Sequence, residues 1–110
     1  MIRVVPFAYF CVCISDCAER DLDSIVLYIA EKLSAPKAAS DFVDAVYNCY
    51  NNLESTPYIY EACHDNRLQI EGYRRATIKN YVLVYKVNED AKTVTVHRFF
   101  YGGQNYLSLI

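Results

Sequence analysis

Hydrophobic residues recur along this chain with two different periods, and the switch between them lays out the fold. Residues 8–14 (AYFCVCI) are short, aromatic and β-branched, bounded by Pro6 and Ser15, which predicts a strand. Ser15 or Asp16 then offers a helix cap, with Glu19 three residues beyond Asp16 in the spacing of a capping box. Ala18, Leu22, Ile25, Val26, Ile29, Ala30 and Leu33 follow at helical spacing as one continuous apolar face. Ser34-Ala35-Pro36 ends this helix and starts another, because proline suits a first turn where its missing N–H has no partner to lose. Ala39, Phe42, Val46, Cys49 and Leu53 form the second stripe, widened by Val43, Tyr47 and Tyr50. Ser55-Thr56-Pro57 stops it, since the residue before proline avoids the helical region. Two antiparallel helices joined by a tight turn are expected.

Residues 57–72 have no clear period and read as a loop with at most a short turn of helix. From Tyr73 the period drops to two. Tyr73–Ile78 sets Arg75 and Thr77 on one face and Ala76 and Ile78 on the other, and Lys79-Asn80 is a turn. Tyr81–Val87 is nearly all apolar, as a strand buried on both faces should be. Asn88–Lys92 closes a hairpin and Thr93–Tyr101 is the last strand. The expected fold class is α+β in the order β-α-α-β-β-β, a helical hairpin packed on one face of a small twisted, mostly antiparallel sheet. The first strand must rejoin the sheet after the helices, so it can pair in parallel with a later one. The 110 residues form one domain, with residues 1–7 as an extra segment before it.

Composition adds a bias towards interfaces. Tyrosine is the outlier at 11 residues, with no Trp, and tyrosine combines apolar area with a polar tip. The net charge of −2 hides an asymmetry. Residues 1–63 carry four Lys/Arg against nine Asp/Glu, whereas residues 64–110 carry seven against four. The basic second half can attract a polyanion locally, although an acidic chain gains little long-range steering. Five cysteines, an odd number without framework spacing, fit a reducing cytoplasm and buried thiols. With only His64 and His97 as histidines, no metal site and no cofactor is expected. Val4 to Ile14 is too short to span a bilayer and reads as the approach to a buried first strand, so no membrane partner is expected.

The order of elements, with SDCAERDLDSIVLYI at the first helix, GYRRATIKNYVLVYKV in the middle and RFFYGGQNYLSLI at the end, resembles the RelE/ParE superfamily. These are the toxin halves of bacterial type II toxin–antitoxin modules, also met as plasmid stabilisation proteins. The resemblance implies a growth-arresting toxin of the cytoplasm, neutralised by a cognate antitoxin whose tail wraps it. It implies one of two targets, the translating ribosome with its mRNA, which RelE-like members cut, or DNA gyrase, on which ParE-like members act. A homodimer and a toxin–antitoxin hetero-oligomer are both compatible with it.

Where many relatives resemble H-G-R-R-D-Y, this chain has Tyr101-Gly102-Gly103-Gln104-Asn105-Tyr106. RNA cleavage through the 2′-OH needs a base, a cation on the crowded phosphate and an acid for the leaving oxygen. Exchanging one charge-assisted contact for a neutral one forfeits about 2–4 kcal/mol, a hundredfold or more in rate. The neutral tip therefore tilts the reading from a potent ribonuclease towards a binding toxin. Ribosome-dependent mRNA cleavage is the alternative, and a degenerate antitoxin-binding co-repressor a further one.

Candidate catalytic groups remain nearby. Arg75 and Arg98 would bind phosphate, Tyr101 or Tyr106 would stack a base, and His97 is the one base in reach. Arg74, Lys79, Gln104 and Asn105 are candidate binding residues. The same residues have a plainer reading. Arg75 and Lys79 can be solvated surface, His97 a strand-face histidine, Tyr81 and Tyr85 cross-strand packing, and Gly102-Gly103 a turn.

Overall fold

The computed structural model describes residues 9–102. The expectations placed on residues 1–7 and on Gln104, Asn105 and Tyr106 lie outside them. Strand β1 (Cys11–Ile14) leads into helix α1 (Asp16–Leu27), which runs on as a π-helical turn (Tyr28–Lys32). Helix α2 (Pro36–Ser55), the short α3 (Asn66–Ile70) and strands β2 (Tyr73–Ile78), β3 (Tyr81–Asn88) and β4 (Thr93–Tyr101) complete the chain. The sheet order is β1-β4-β3-β2. β3 pairs antiparallel with both β2 and β4, and β1 pairs with β4 in parallel, from Cys11 opposite Thr93 to Ile14 opposite Val96.

The hairpin lies on one face of this sheet. Phe42, Val46 and Leu53 of α2 are at most 1% exposed and pack with Ala76, Leu83, Tyr85, Val94, Val96 and Phe99. Each such side chain contributes about 1.5–3 kcal/mol through burial. Ser15 caps α1, its Oγ accepting from the Ala18 N–H at 3.1 Å, and its own N–H donates to Val96, so one residue ends the strand and starts the helix. Ala35 stands before Pro36 at the start of α2 with no side-chain cap.

Two departures from the periodic pattern shape the surface. The Leu33 N–H donates to the Tyr28 carbonyl at 3.1 Å, five residues back. That wider turn rotates the end of the apolar stripe out of phase, so Leu33, expected on the core face, is 55% exposed. The second departure lies on the other face of the sheet. The chain after Tyr60 passes round the β2 edge onto that face: Ala62 bridges Arg74, and Leu68 of α3 and Cys63 join Val82, Val84 and Phe100 in a second buried cluster. The face away from the hairpin is thus partly covered. Asp65 caps α3 through the Leu68 N–H, a local signal that apolar periodicity does not register.

Candidate functional site

Strand pairing places Arg75 opposite Val84 and Val84 opposite Arg98. The two arginines therefore stand in one cross-strand row, two strand spacings or about 10 Å apart, on the face away from the hairpin. Between Val84 and Tyr85 the register slips, leaving His97 as an extra residue in β4. This bulge lets His97 and Arg98, neighbours in sequence, share that face.

Arg98 is engaged. Its Nε and Nη2 donate to the two Asp21 carboxylate oxygens at 2.7 and 3.1 Å, and the Phe99 N–H donates to the same carboxylate at 3.0 Å. Asp21 hydrogen bonding, stronger than the opposing burial, raises the Arg98 pKa above its ordinary value. The guanidinium also lies over the Phe100 ring. Asp21 thus closes the edge of β4 beyond the end of β1 and neutralises the arginine beside it. It belongs to no motif, and its place on the polar side of α1 gave no sign of this role.

Arg74 points to the hairpin side and serves the chain itself. It donates to the Tyr60 carbonyl at 2.8 and 3.0 Å and to the Tyr58 carbonyl at 3.3 Å, with its guanidinium over the Tyr58 ring. Together with the Tyr85 hydroxyl, which donates to the Pro57 carbonyl at 2.7 Å, it fastens the segment after α2 to the sheet. Burial pushes the Tyr85 phenol up, against the opposing pull of Arg74.

His97 meets the Tyr73 ring edge-on, with centroids 5.2 Å apart, and Lys86 lies over the other partner of that pair, Tyr73. Burial, and then the Lys86 charge, lower the His97 pKa, so the imidazole is neutral near pH 7. It retains a base's lone pair. Arg75 approaches Glu61 at 3.7 Å and borders a shallow recess of 330 Å³ with Thr77, Lys79 and Tyr101. Lys79 adopts φ 56° in the β2–β3 turn. Gly102 closes the same corner: its N–H donates to the Asn80 carbonyl at 2.7 Å, and a Cβ there would stand 3.0 Å from that oxygen.

Tyr101 lies round the end of the sheet. Register with Tyr81 puts it on the hairpin side, edge-on to Tyr81 at 5.8 Å, and Tyr81 in turn tilts against Phe42. A groove of 710 Å³ opens here between the π-helical turn, the start of α2 and the strand ends. Tyr28, Leu33 and Tyr101, each at least half exposed, form its apolar rim, with Asp41 and Lys79 as its charged positions. The predicted set is therefore divided. Arg75, His97 and Arg98 share one face, Tyr101 faces the groove, and Arg74 is turned inwards. Among the described residues no cluster of His, Cys, Asp and Glu is arranged to hold a metal ion, and no helix is long and apolar enough to cross a membrane.

Comparison with known proteins agrees with this architecture. The family described as the ParE toxin of the type II toxin-antitoxin system, parDE, matches residues 12–106. No curated protein sequence matches the chain. Among solved structures, the chromosomal ParDE toxin–antitoxin system from P. aeruginosa superposes with a TM-score of 0.67 at 17% identity, covering 86% of this chain and 97% of that one. The RelBE2 toxin-antitoxin complex from Mycobacterium tuberculosis gives 0.58 at 18% identity, covering 84% and 98%. The archaeal RelE-RelB complex from Pyrococcus horikoshii OT3 gives 0.57 at 18% identity, covering 87% and 98%.

Proposed function

The chain belongs to the ParE toxin family of type II toxin–antitoxin systems, and from that premise we propose that it arrests growth by gripping a macromolecular target rather than by cutting RNA. The observation that carries this reading is the Asp21–Arg98 pair. A cation meant to stabilise a transferring phosphate must be available to it, and this one is held by two hydrogen bonds to a carboxylate. Arg74 is likewise spent on backbone carbonyls. The apolar groove rimmed by Tyr28, Leu33 and Tyr101 offers what a binding toxin needs, aromatic anchors in a concavity.

Within this reading DNA gyrase is the favoured target, as the ParE assignment implies, and a cognate antitoxin neutralises the chain. Related folds solved as RelBE2 and RelE-RelB complexes support the second point. Purified protein is expected to inhibit gyrase supercoiling, to arrest growth when produced without its antitoxin, and to leave transcripts intact. A second reading, ribosome-dependent mRNA cleavage, is favoured by the recess that brings Arg75, Lys79 and Tyr101 together. Transcript ends mapped after induction separate the two: new ends within codons, with supercoiling unaffected, would sink the gyrase reading.

A further inference from the structure

Three thiols, those of Cys11, Cys13 and Cys17, are exposed close together in the chain, whereas Cys49 and Cys63 are buried. Val12 and Ile14 pack against the core beneath the hairpin, so alternation turns Cys11 and Cys13 to the opposite face of β1. There the two side chains hydrogen bond to each other. Cys17, in the first turn of α1, lies beside Arg98 instead. In strand register Cys11 stands next to Thr93 and Cys13 next to Thr95, with Lys86 beyond Thr95 and Tyr73 beyond Lys86. The row that starts at Cys13 thus holds an ammonium and no carboxylate.

We propose that Cys11 and Cys13 form a two-thiolate binding site for monovalent copper. Two residues apart on a strand, their Cα atoms are about 6.6 Å from each other and their side chains leave the strand in the same direction. A disulfide needs Cβ atoms about 3.5–4.5 Å apart, which this spacing does not offer unless the strand bends. An ion between the sulfurs spans the gap. Metal–thiolate bonds of about 2.3 Å set in line hold two sulfurs about 4.6 Å apart. Thiolates are soft ligands that select Cu(I), and its filled d shell is satisfied by two of them in line. Zinc takes four ligands, and here Thr93 and Thr95 flank the pair with neutral hydroxyls. The expectation of no metal site counts ligands for a tetrahedral ion and does not bear on a pair. On binding, both thiol protons leave to solvent as the two Cu–S bonds form, and no electron is transferred. The product carries one negative charge, which Lys86 in the Cys13 row partly offsets.

Anaerobic competition tests the site. The full chain, with its thiols reduced, is titrated with Cu(I) against ferrozine, whose coloured complex reports the copper that the protein does not hold. One equivalent is expected to bind per chain, and native mass spectrometry should place it on the monomer. Cys11→Ser and Cys13→Ser should each weaken binding about a hundredfold or more, whereas Cys17→Ser should bind as the unmodified chain does. The Cys11→Ser/Cys13→Ser double variant keeps Cys17, Cys49 and Cys63 and should take no copper, with its fold confirmed by circular dichroism. X-ray absorption at the copper edge should show two sulfur neighbours, and a tenfold excess of zinc should leave the copper in place. A chain that takes no copper from ferrozine overturns the proposal. So does equal loss in Cys17→Ser, undiminished binding in either single serine variant, a third sulfur neighbour, displacement by zinc, or copper held only between two chains.

Discussion

Asp21 on the first helix and Arg98 on the last strand stand 77 positions apart and meet through two hydrogen bonds, with the Phe99 N–H as a third on the same carboxylate. The Asp21 side chain is 18% exposed and that of Arg98 31%, so solvent screens the pair only in part. Asp21→Asn removes the charge and strands a partly buried guanidinium, and should lower unfolding free energy by about 1–2 kcal/mol in urea titration. Arg98→Met should cost less, because the carboxylate keeps the Phe99 N–H. The double variant should fall short of the sum of the two. Growth arrest by Arg98→Met should persist at temperatures where it is folded; loss of arrest without loss of stability would argue for a phosphate-binding role instead.

Arg74 holds the segment after α2 with a planar fork that reaches two carbonyls and lies on a ring. Lysine has the charge but not the fork, so Arg74→Lys should destabilise by about 1–2 kcal/mol. Hydrogen exchange should show earlier opening of residues 57–63 while the β3–β4 ladder stays protected. Lys37→Arg, at an exposed helical pair, is the matched control and should change stability little.

His97 supplies a pH dependence whose sign follows from burial and from Lys86. Its folded pKa lies below its ordinary value of 6.5, so below about pH 6.5 the unfolded chain binds a proton that the folded chain resists. Stability from this residue is complete above that pH and is lost as pH falls from 6.5 through the lower, folded value. His97→Gln should flatten this part of the stability profile, and Lys86→Met should move its midpoint upwards. A profile unchanged in both variants would remove His97 from the account.

Tyr101 is 57% exposed, so truncating it should leave the fold within about 0.5 kcal/mol. If the groove is the gripping surface, Tyr101→Ala and Leu33→Ser should each weaken antitoxin or target binding tenfold or more, measured by calorimetry or titrated inhibition. Tyr47→Ala, on an equally exposed ring away from the groove, should not.

The periodic elements of this protein are legible in its sequence because burial writes them there. Ala76 and Ile78 face the hairpin as alternation requires, and the α2 stripe from Ala39 to Leu53 is buried throughout. What escapes is set by events that carry no period. The π-helical turn at Tyr28 displaces Leu33, and the slip beside Tyr85 puts His97 and Arg98 on one face. Leu68 and Cys63 build a second small core from a stretch without pattern. Asp21 shows the limit most plainly. A polar residue on the outer side of a helix looks alike whether it meets water or a strand edge, and only the path of α1 past β4 decides which.

The parallel pairing of Cys11–Ile14 with Thr93–Val96 has a kinetic meaning. The first strand made has no neighbour until almost the whole chain exists, and closing so long a loop is slow compared with forming the hairpins between. A nascent chain that stops before Thr93 leaves its opening strand without a seat. The completed architecture, together with every surface that depends on it, therefore arrives only near the end of translation.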